Sequence, residues 1–232
     1  MLKLKLFIGA SLLLNIFFIL AAVVFINYQG GLLYIYDRAI NILDDDQEID
    51  LKQTIFESSE IEDVDIMFVG DSITGNGVFN EYFPDKIVIN RGKSGDESTD
   101  ILARIDEIIK RNPKELYLMI GTNDIWQERN IDSYERNVRE ILERILSESP
   151  ETSITIQSII PVNNKEYNVS FKNEDIDKFN NVLENISEDK ELEYIDLHPA
   201  LEDDEGKLIE EYTNDGIHLI GAGYNAWMEL IE

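Results

Sequence analysis

Four short strings carry the residue types that acyl chemistry needs: Gly70-Asp71-Ser72, the stretch NRGKSGDES from Asn90 to Ser98, Gly121-Thr122-Asn123-Asp124, and Asp215-Gly216-Ile217-His218. Acyl transfer or hydrolysis requires a nucleophilic oxygen, a base for its proton, a group that orients the base, and donors for the oxyanion. Ser72 can supply the oxygen. His218 can act as base, with Asp215 three residues earlier to accept from the other ring nitrogen and fix the tautomer. The amides of Ser72 and Gly95 and the side chain of Asn123 are the candidate oxyanion donors, glycine at 95 allowing close approach of backbone to substrate. The set is complete without a metal or a cofactor. Each string has a plainer reading: a serine before a helix is often an N-cap, and Asp-x-x-His and Gly-Thr-Asn-Asp are often turns. Their common placement at strand ends favours chemistry. The other histidine, His198 in DLHPAL, has no acid three residues before it and reads as structural or peripheral.

The elements that must position these residues follow from periodicity. Short apolar runs at 66–70, 86–90, 115–121, 153–159 and 192–197 read as strands. Between and after them lie stripes with apolar residues three and four apart. One holds Ile101, Leu102, Ile105, Ile108 and Ile109, and a second holds Val138, Ile141, Leu142, Ile145 and Leu146. A third holds Ile176, Phe179, Leu183 and Ile186, and a fourth Tyr224, Trp227, Met228 and Ile231. Asp132 with Glu135 reads as a capping pair before the second stripe. Strands alternating with helices call for an α/β fold with a central parallel sheet of about five strands. Sites in such sheets form outside the carboxyl ends of the strands, where all four strings fall.

The nucleophile elbow of the α/β-hydrolases is excluded, because Thr74 stands where Gly-x-Ser-x-Gly needs its second glycine. FVGDSIT, NRGKSGDEST, MIGTNDI and YTNDGIHLIGAGY instead resemble the four blocks of the SGNH hydrolases, the GDSL esterase and lipase family, from about Asp65 to the carboxyl terminus. The signature residues map to Ser72, Gly95, Asn123 and His218, with Asp215 as the acid. Ile73 replaces the leucine of the family name, and Lys93 stands near the oxyanion glycine where small or apolar residues are common. The resemblance implies a three-layer flavodoxin-like fold, an acyl-enzyme on the serine and no cofactor. It also implies a substrate range from acetylated sugars to lysophospholipids, with acetyltransferases among the relatives.

Composition narrows the partners. The chain of 232 residues has 20 Lys and Arg against 47 Asp and Glu, a net charge of −27. Phosphate backbones would be repelled, which excludes nucleic acid as a partner. The absence of cysteine removes disulfides, thiolate nucleophiles and Cys-ligated zinc. Leu6 to Ile26 holds 21 residues without a charge, and about 20 suffice to cross a bilayer as a helix. It exceeds the apolar region of a signal peptide, and Val23-Val24-Phe25 after Ala21-Ala22 makes a poor cleavage site, so an uncleaved anchor is expected. Lys3 and Lys5 precede it, whereas the first basic residue beyond it is Arg38, which places the amino terminus in the cytoplasm and the rest outside.

The expected organisation is therefore residues 1–30 as cytoplasmic tip and transmembrane anchor, 31–61 as juxtamembrane connector, and 62–232 as catalytic domain. The expected function is that of a membrane-tethered, extracytoplasmic serine esterase removing acyl groups, chiefly acetyl, from cell-surface carbohydrate. Its partners would be the acyl-ester substrate and, through the N-terminal helix, the lipid bilayer. The polar connection 161–175 is expected to wall the cleft. A lysophospholipase or lipase, a carbohydrate O-acyltransferase using the same triad, and a silent binding module are the alternatives.

Overall fold

The structure, a computed structural model, describes Leu14, Asn15, Phe18 and residues 51–231. The expected span Leu6–Ile26 otherwise lies outside the described residues, among which no helix is long and apolar enough to cross a membrane. The chain divides into two compact units, Met1–Thr54 and Ile55–Glu232.

In chain order the elements are α1 (Leu51–Ser58), β1 (Ile66–Gly70), α2 (Ser72–Gly75), β2 (Val88–Gly92), α3 (Ser98–Ala103), α4 (Ile105–Ile109) and β3 (Glu115–Met119). There follow α5 (Thr122–Trp126), α6 (Ile131–Glu148), β4 (Ser153–Gln157), α7 (Asn173–Lys190), β5 (Glu193–Ile195), α8 (His198–Leu201) and α9 (Gly221–Met228). The five strands form one sheet in the order β2-β1-β3-β4-β5, with every pairing parallel. The chain order reverses between β1 and β3, which is where a doubly wound sheet opens its binding crevice.

Parallel strands buried on both faces read as unbroken apolar runs, which is why IMFVG was legible: all five of its residues are buried. The second strand lies two residues later than the expected 86–90. Val88 pairs with Ile66 and Gly92 with Gly70, so the ladder continues through Arg91, whose side chain is buried against Glu107 rather than solvated. The third run ends at Met119 because Gly121, at φ +137°, turns the chain into α5.

The first apolar stripe is two helices, broken at Arg104 (φ −110°, ψ 16°). The guanidinium of Arg104 turns inward, where Nε meets Asp96 at 2.8 Å and Nη2 meets the Arg91 carbonyl at 2.7 Å. The second stripe is α6, but its cap is not the Asp132–Glu135 pair. Asn130 occupies the N-cap and its Oδ1 accepts from the amides of Asp132 and Ser133. The third stripe is α7, and the fourth is α9, which ends before Ile231.

Candidate active site

Ser72 follows β1 by two residues. Asp71, not Ser72, caps the turn: its Oδ1 accepts from the Ile73 amide at 2.9 Å. The serine hydroxyl is thus left free of capping duty. The helix it opens has only four residues, so its dipole is small and the direct amide donors matter more. The turn is held from its far side, the Asn90 amide donating to the carbonyls of Thr74 and Gly77 and the Tyr224 hydroxyl to that of Ile73. Gly70 is required by close packing, since a Cβ there would lie 2.3 Å from the Met119 carbonyl oxygen.

Ser72 Oγ lies 2.9 Å from His218 Nε2, across 146 residues of sequence. On the other side of the ring, Nδ1–H donates to Asp215 Oδ2 at 2.6 Å, which leaves Nε2 to accept the serine proton. The second carboxylate oxygen accepts from the amides of Ile217 and His218. Burial opposes ionisation of Asp215, but the His218 amide and ring and the Ile217 amide together hold its carboxyl below the ordinary range. The structure therefore brings Ser72, His218 and Asp215 into one hydrogen-bonded line.

Gly95 and Asn123 face the same cleft. Gly95 has φ +82°, yet a Cβ there would meet nothing within 4 Å. Its need for glycine in this structure is conformational rather than steric, which refines the expectation of close approach. Among the described residues no carbonyl accepts from the amides of Ser72 or Gly95. Asn123 Nδ2 donates one hydrogen to the Asp96 carbonyl at 2.9 Å, which fixes the amide and leaves its second hydrogen for the cleft.

Several supporting residues were not anticipated. Asp96, beside Gly95, is buried and paired with Arg104 and Lys93. Burial raises its carboxyl above the usual range, against the pull of Arg104. Asp124 accepts the Ser98 amide at 2.9 Å and its hydroxyl at 2.6 Å, tying the start of α3 to α5. Asp124 belongs to the Gly-Thr-Asn-Asp string, but only the structure shows that it is buried and bonded to Ser98. The Asp96–Arg104 pair is eight residues apart across a broken helix and gives no periodic signal.

The cleft is wide, of about 580 Å³, and is lined by Ser72, Asn76, Ser94, Gly95, Asn123, Trp126, Asn214, Asp215, His218, Leu219 and Ile220. The connection 161–175 does not line it, contrary to expectation, but packs against it from outside. Phe171 packs against Trp126, and the Asn163 amide donates to the Gly216 carbonyl at 2.8 Å. Three of its asparagines donate to backbone carbonyls, Asn163 to Leu208, Asn164 to Phe171 and Asn173 to Val162 and Gly206. Lys93 is not in the lining; its amine turns to Asp96 at 3.3 Å. His198 stands apart, its Nε2 2.9 Å from the Ile159 carbonyl.

Solved structures share this architecture. A Streptococcus pneumonia protein proposed to be a platelet activating factor matches at 28% identity with a TM-score of 0.77, over 84% of this chain and 97% of its own. A GDSL-like lipase from Bacteroides thetaiotaomicron matches at 22% and 0.67, over 77% and 92%. An acetyl xylan esterase from Geobacillus stearothermophilus matches at 21% and 0.59, over 75% and 95%. The last two bear on the fold alone. No curated protein sequence matches at a significant level. Residues 68–226, more than half the chain and all four strings, match the GDSL-like Lipase/Acylhydrolase family. The chain belongs to that family, also known as the SGNH hydrolases, and is a carboxylic ester hydrolase.

Proposed function

We propose that the chain is a membrane-tethered, extracytoplasmic serine esterase that removes acetyl or other short acyl groups from carbohydrate. The observation that carries this reading is the line Ser72–His218–Asp215, at 2.9 and 2.6 Å, opening on a wide cleft whose polar lining is almost wholly neutral. Ser72 Oγ attacks the ester carbonyl carbon while its proton passes to His218 Nε2. Asp215 holds Nδ1–H and offsets the imidazolium charge. The carbonyl oxygen, now an oxyanion, accepts from the amides of Ser72 and Gly95 and from Asn123 Nδ2. Collapse expels the sugar alcohol, which takes the proton from His218 and leaves acyl-Ser72. Water, deprotonated by His218, then attacks the acyl carbon and releases the carboxylic acid and free serine.

Substrate class follows from the lining, which contains no Lys or Arg among its residues and a single acid, Asp215. A lysophospholipid would bring a phosphate with no cation to meet it, whereas a sugar brings hydroxyls that match Asn76, Ser94 and Asn214. That an acetyl xylan esterase shares the fold is consistent with this reading. The tether rests on the 21 uncharged residues from Leu6 to Ile26, and the outward orientation on Lys3 and Lys5. The width of the cleft also favours a second reading, carbohydrate O-acyltransfer, in which a sugar hydroxyl takes the place of water.

Ser72→Ala is expected to abolish ester cleavage, and retained full activity would overturn the catalytic assignment. Across p-nitrophenyl esters from acetate to palmitate, kcat/KM is expected to fall with chain length; a rise would overturn the acetyl reading. Acylated sugar accumulating when a free oligosaccharide is supplied with the ester would establish the transferase.

A further inference from the structure

Half-exposed aromatic residues beside a reaction centre are informative because a large apolar ring left in water is a cost that a ligand can remove. The chain has two tryptophans, and they differ completely: Trp227 is 0% exposed in the core, whereas Trp126 is 49% exposed on the wall of the cleft. Trp126 closes α5, three residues after Asn123, so the helix presents both side chains on one face. Its ring is braced by Phe171, 6.3 Å away between centroids, and Phe171 is itself buried. The brace comes from the 161–175 connection, which gives that segment a role in the site without lining it.

The polar groups around the ring are uncommitted. Among the described residues, none exchanges a hydrogen bond with the side chains of Asn76, Ser94 or Asn214, all exposed at the same cleft. An aromatic face beside neutral amide and hydroxyl groups matches the two surfaces of a sugar ring. The axial C–H groups of a pyranose are weakly positive and lie against the negative face of an indole, while its equatorial hydroxyls exchange hydrogen bonds with amides. A long acyl chain would need an enclosed apolar groove instead. A phosphorylated ligand would need a cation that the lining does not hold.

We infer that Trp126 is the platform of a sugar-binding subsite, on which a neutral pyranose of the leaving group stacks while Asn76, Ser94 and Asn214 engage its hydroxyls. This deepens the carbohydrate reading above and rests on it. The platform acts on affinity and specificity, and the bond-making residues stay those already named.

The test compares acetylated xylotriose with methyl acetate, an ester carrying no ring. Trp126→Ala should lower the ratio of the two kcat/KM values about 10- to 30-fold, through KM for the sugar ester, as truncation of a buried aromatic contact does. Trp126→Phe should restore most of that ratio. Unacetylated xylotriose should shift the emission of the full chain saturably, because the other tryptophan is inaccessible, and should leave Trp126→Phe emission unchanged. An undiminished ratio in Trp126→Ala, with the native enzyme still favouring the sugar ester, overturns the platform alone. A native enzyme with no preference for the sugar ester overturns the carbohydrate reading and the subsite with it.

Discussion

At the scale of single residues, the division of labour between Asp71 and Ser72 organises the site. Asp71 takes the capping role, and burial pushes its carboxyl up to about 6, the Ile73 amide opposing the shift. A carboxyl whose folded value is raised binds its proton more tightly in the native state, so its contribution is fully present below about pH 4 and lost as pH rises through 6. Asn in its place keeps the capping oxygen without the charge. The stability of Asp71→Asn relative to the native protein should therefore improve between pH 4 and pH 7 by up to about 3 kcal/mol in urea denaturation. Parallel curves for the two proteins would rule this out. Asn123 is the one proposed oxyanion donor that substitution can delete, and Asn123→Ala should lower kcat about 100- to 1,000-fold with much less change in KM. A loss confined to KM would assign it to substrate binding instead.

Among elements, the loop between β2 and α3 depends on one buried ion pair. Arg104 breaks the helix that the apolar stripe promised, and in return binds Asp96 and the carbonyl of Arg91, at the carboxyl end of β2. The Asp96 carbonyl orients Asn123, so this pair supports both the backbone around Gly95 and the side chain at 123. Phe56 from α1 lies over the guanidinium groups of Arg91 and Arg104, at 4.6 and 5.8 Å from its ring centre. Arg111 donates to the carbonyls of Phe56 and Ile61, extending the buried network toward the start of the compact unit. Removing one partner of a buried pair strands the other charge, so Arg104→Ala should destabilise the protein by about 3–5 kcal/mol. Calorimetry checks the stability. Turnover measured well below the lowered melting temperature should also fall, because Asn123 loses its support; normal turnover there would separate the pair from the oxyanion site.

On the scale of the whole molecule, charge and the amino-terminal segment lead to one localisation test. The first 30 residues carry only Lys3 and Lys5 as charged side chains, so all 47 acidic groups lie beyond the proposed anchor. Such a chain gains nothing from an anionic membrane surface, so the proposed attachment would rest on the apolar segment alone. The full chain should remain in the membrane pellet after high-salt and alkaline carbonate washes and dissolve only in detergent. Release by carbonate would end the anchor proposal, and protection from protease added to intact cells would end the outward orientation. The sequence by itself determined the parallel α/β architecture, because strands buried on both faces need unbroken apolar runs and the helices between them need a 3.6-residue stripe. It also marked Ser72, Gly95, Asn123, Asp215 and His218 as candidates, because nucleophile, turn and acid–base chemistry each restrict the residue type locally. Only the tertiary structure decided that Asp71 is the cap, that Arg104 breaks a helix to hold Asp96, and that the 161–175 connection braces Trp126 instead of lining the cleft. The first two outcomes are short-range contacts that form because packing buries them and the third joins separate segments of the chain, so burial and pairing override what local periodicity and polarity convey.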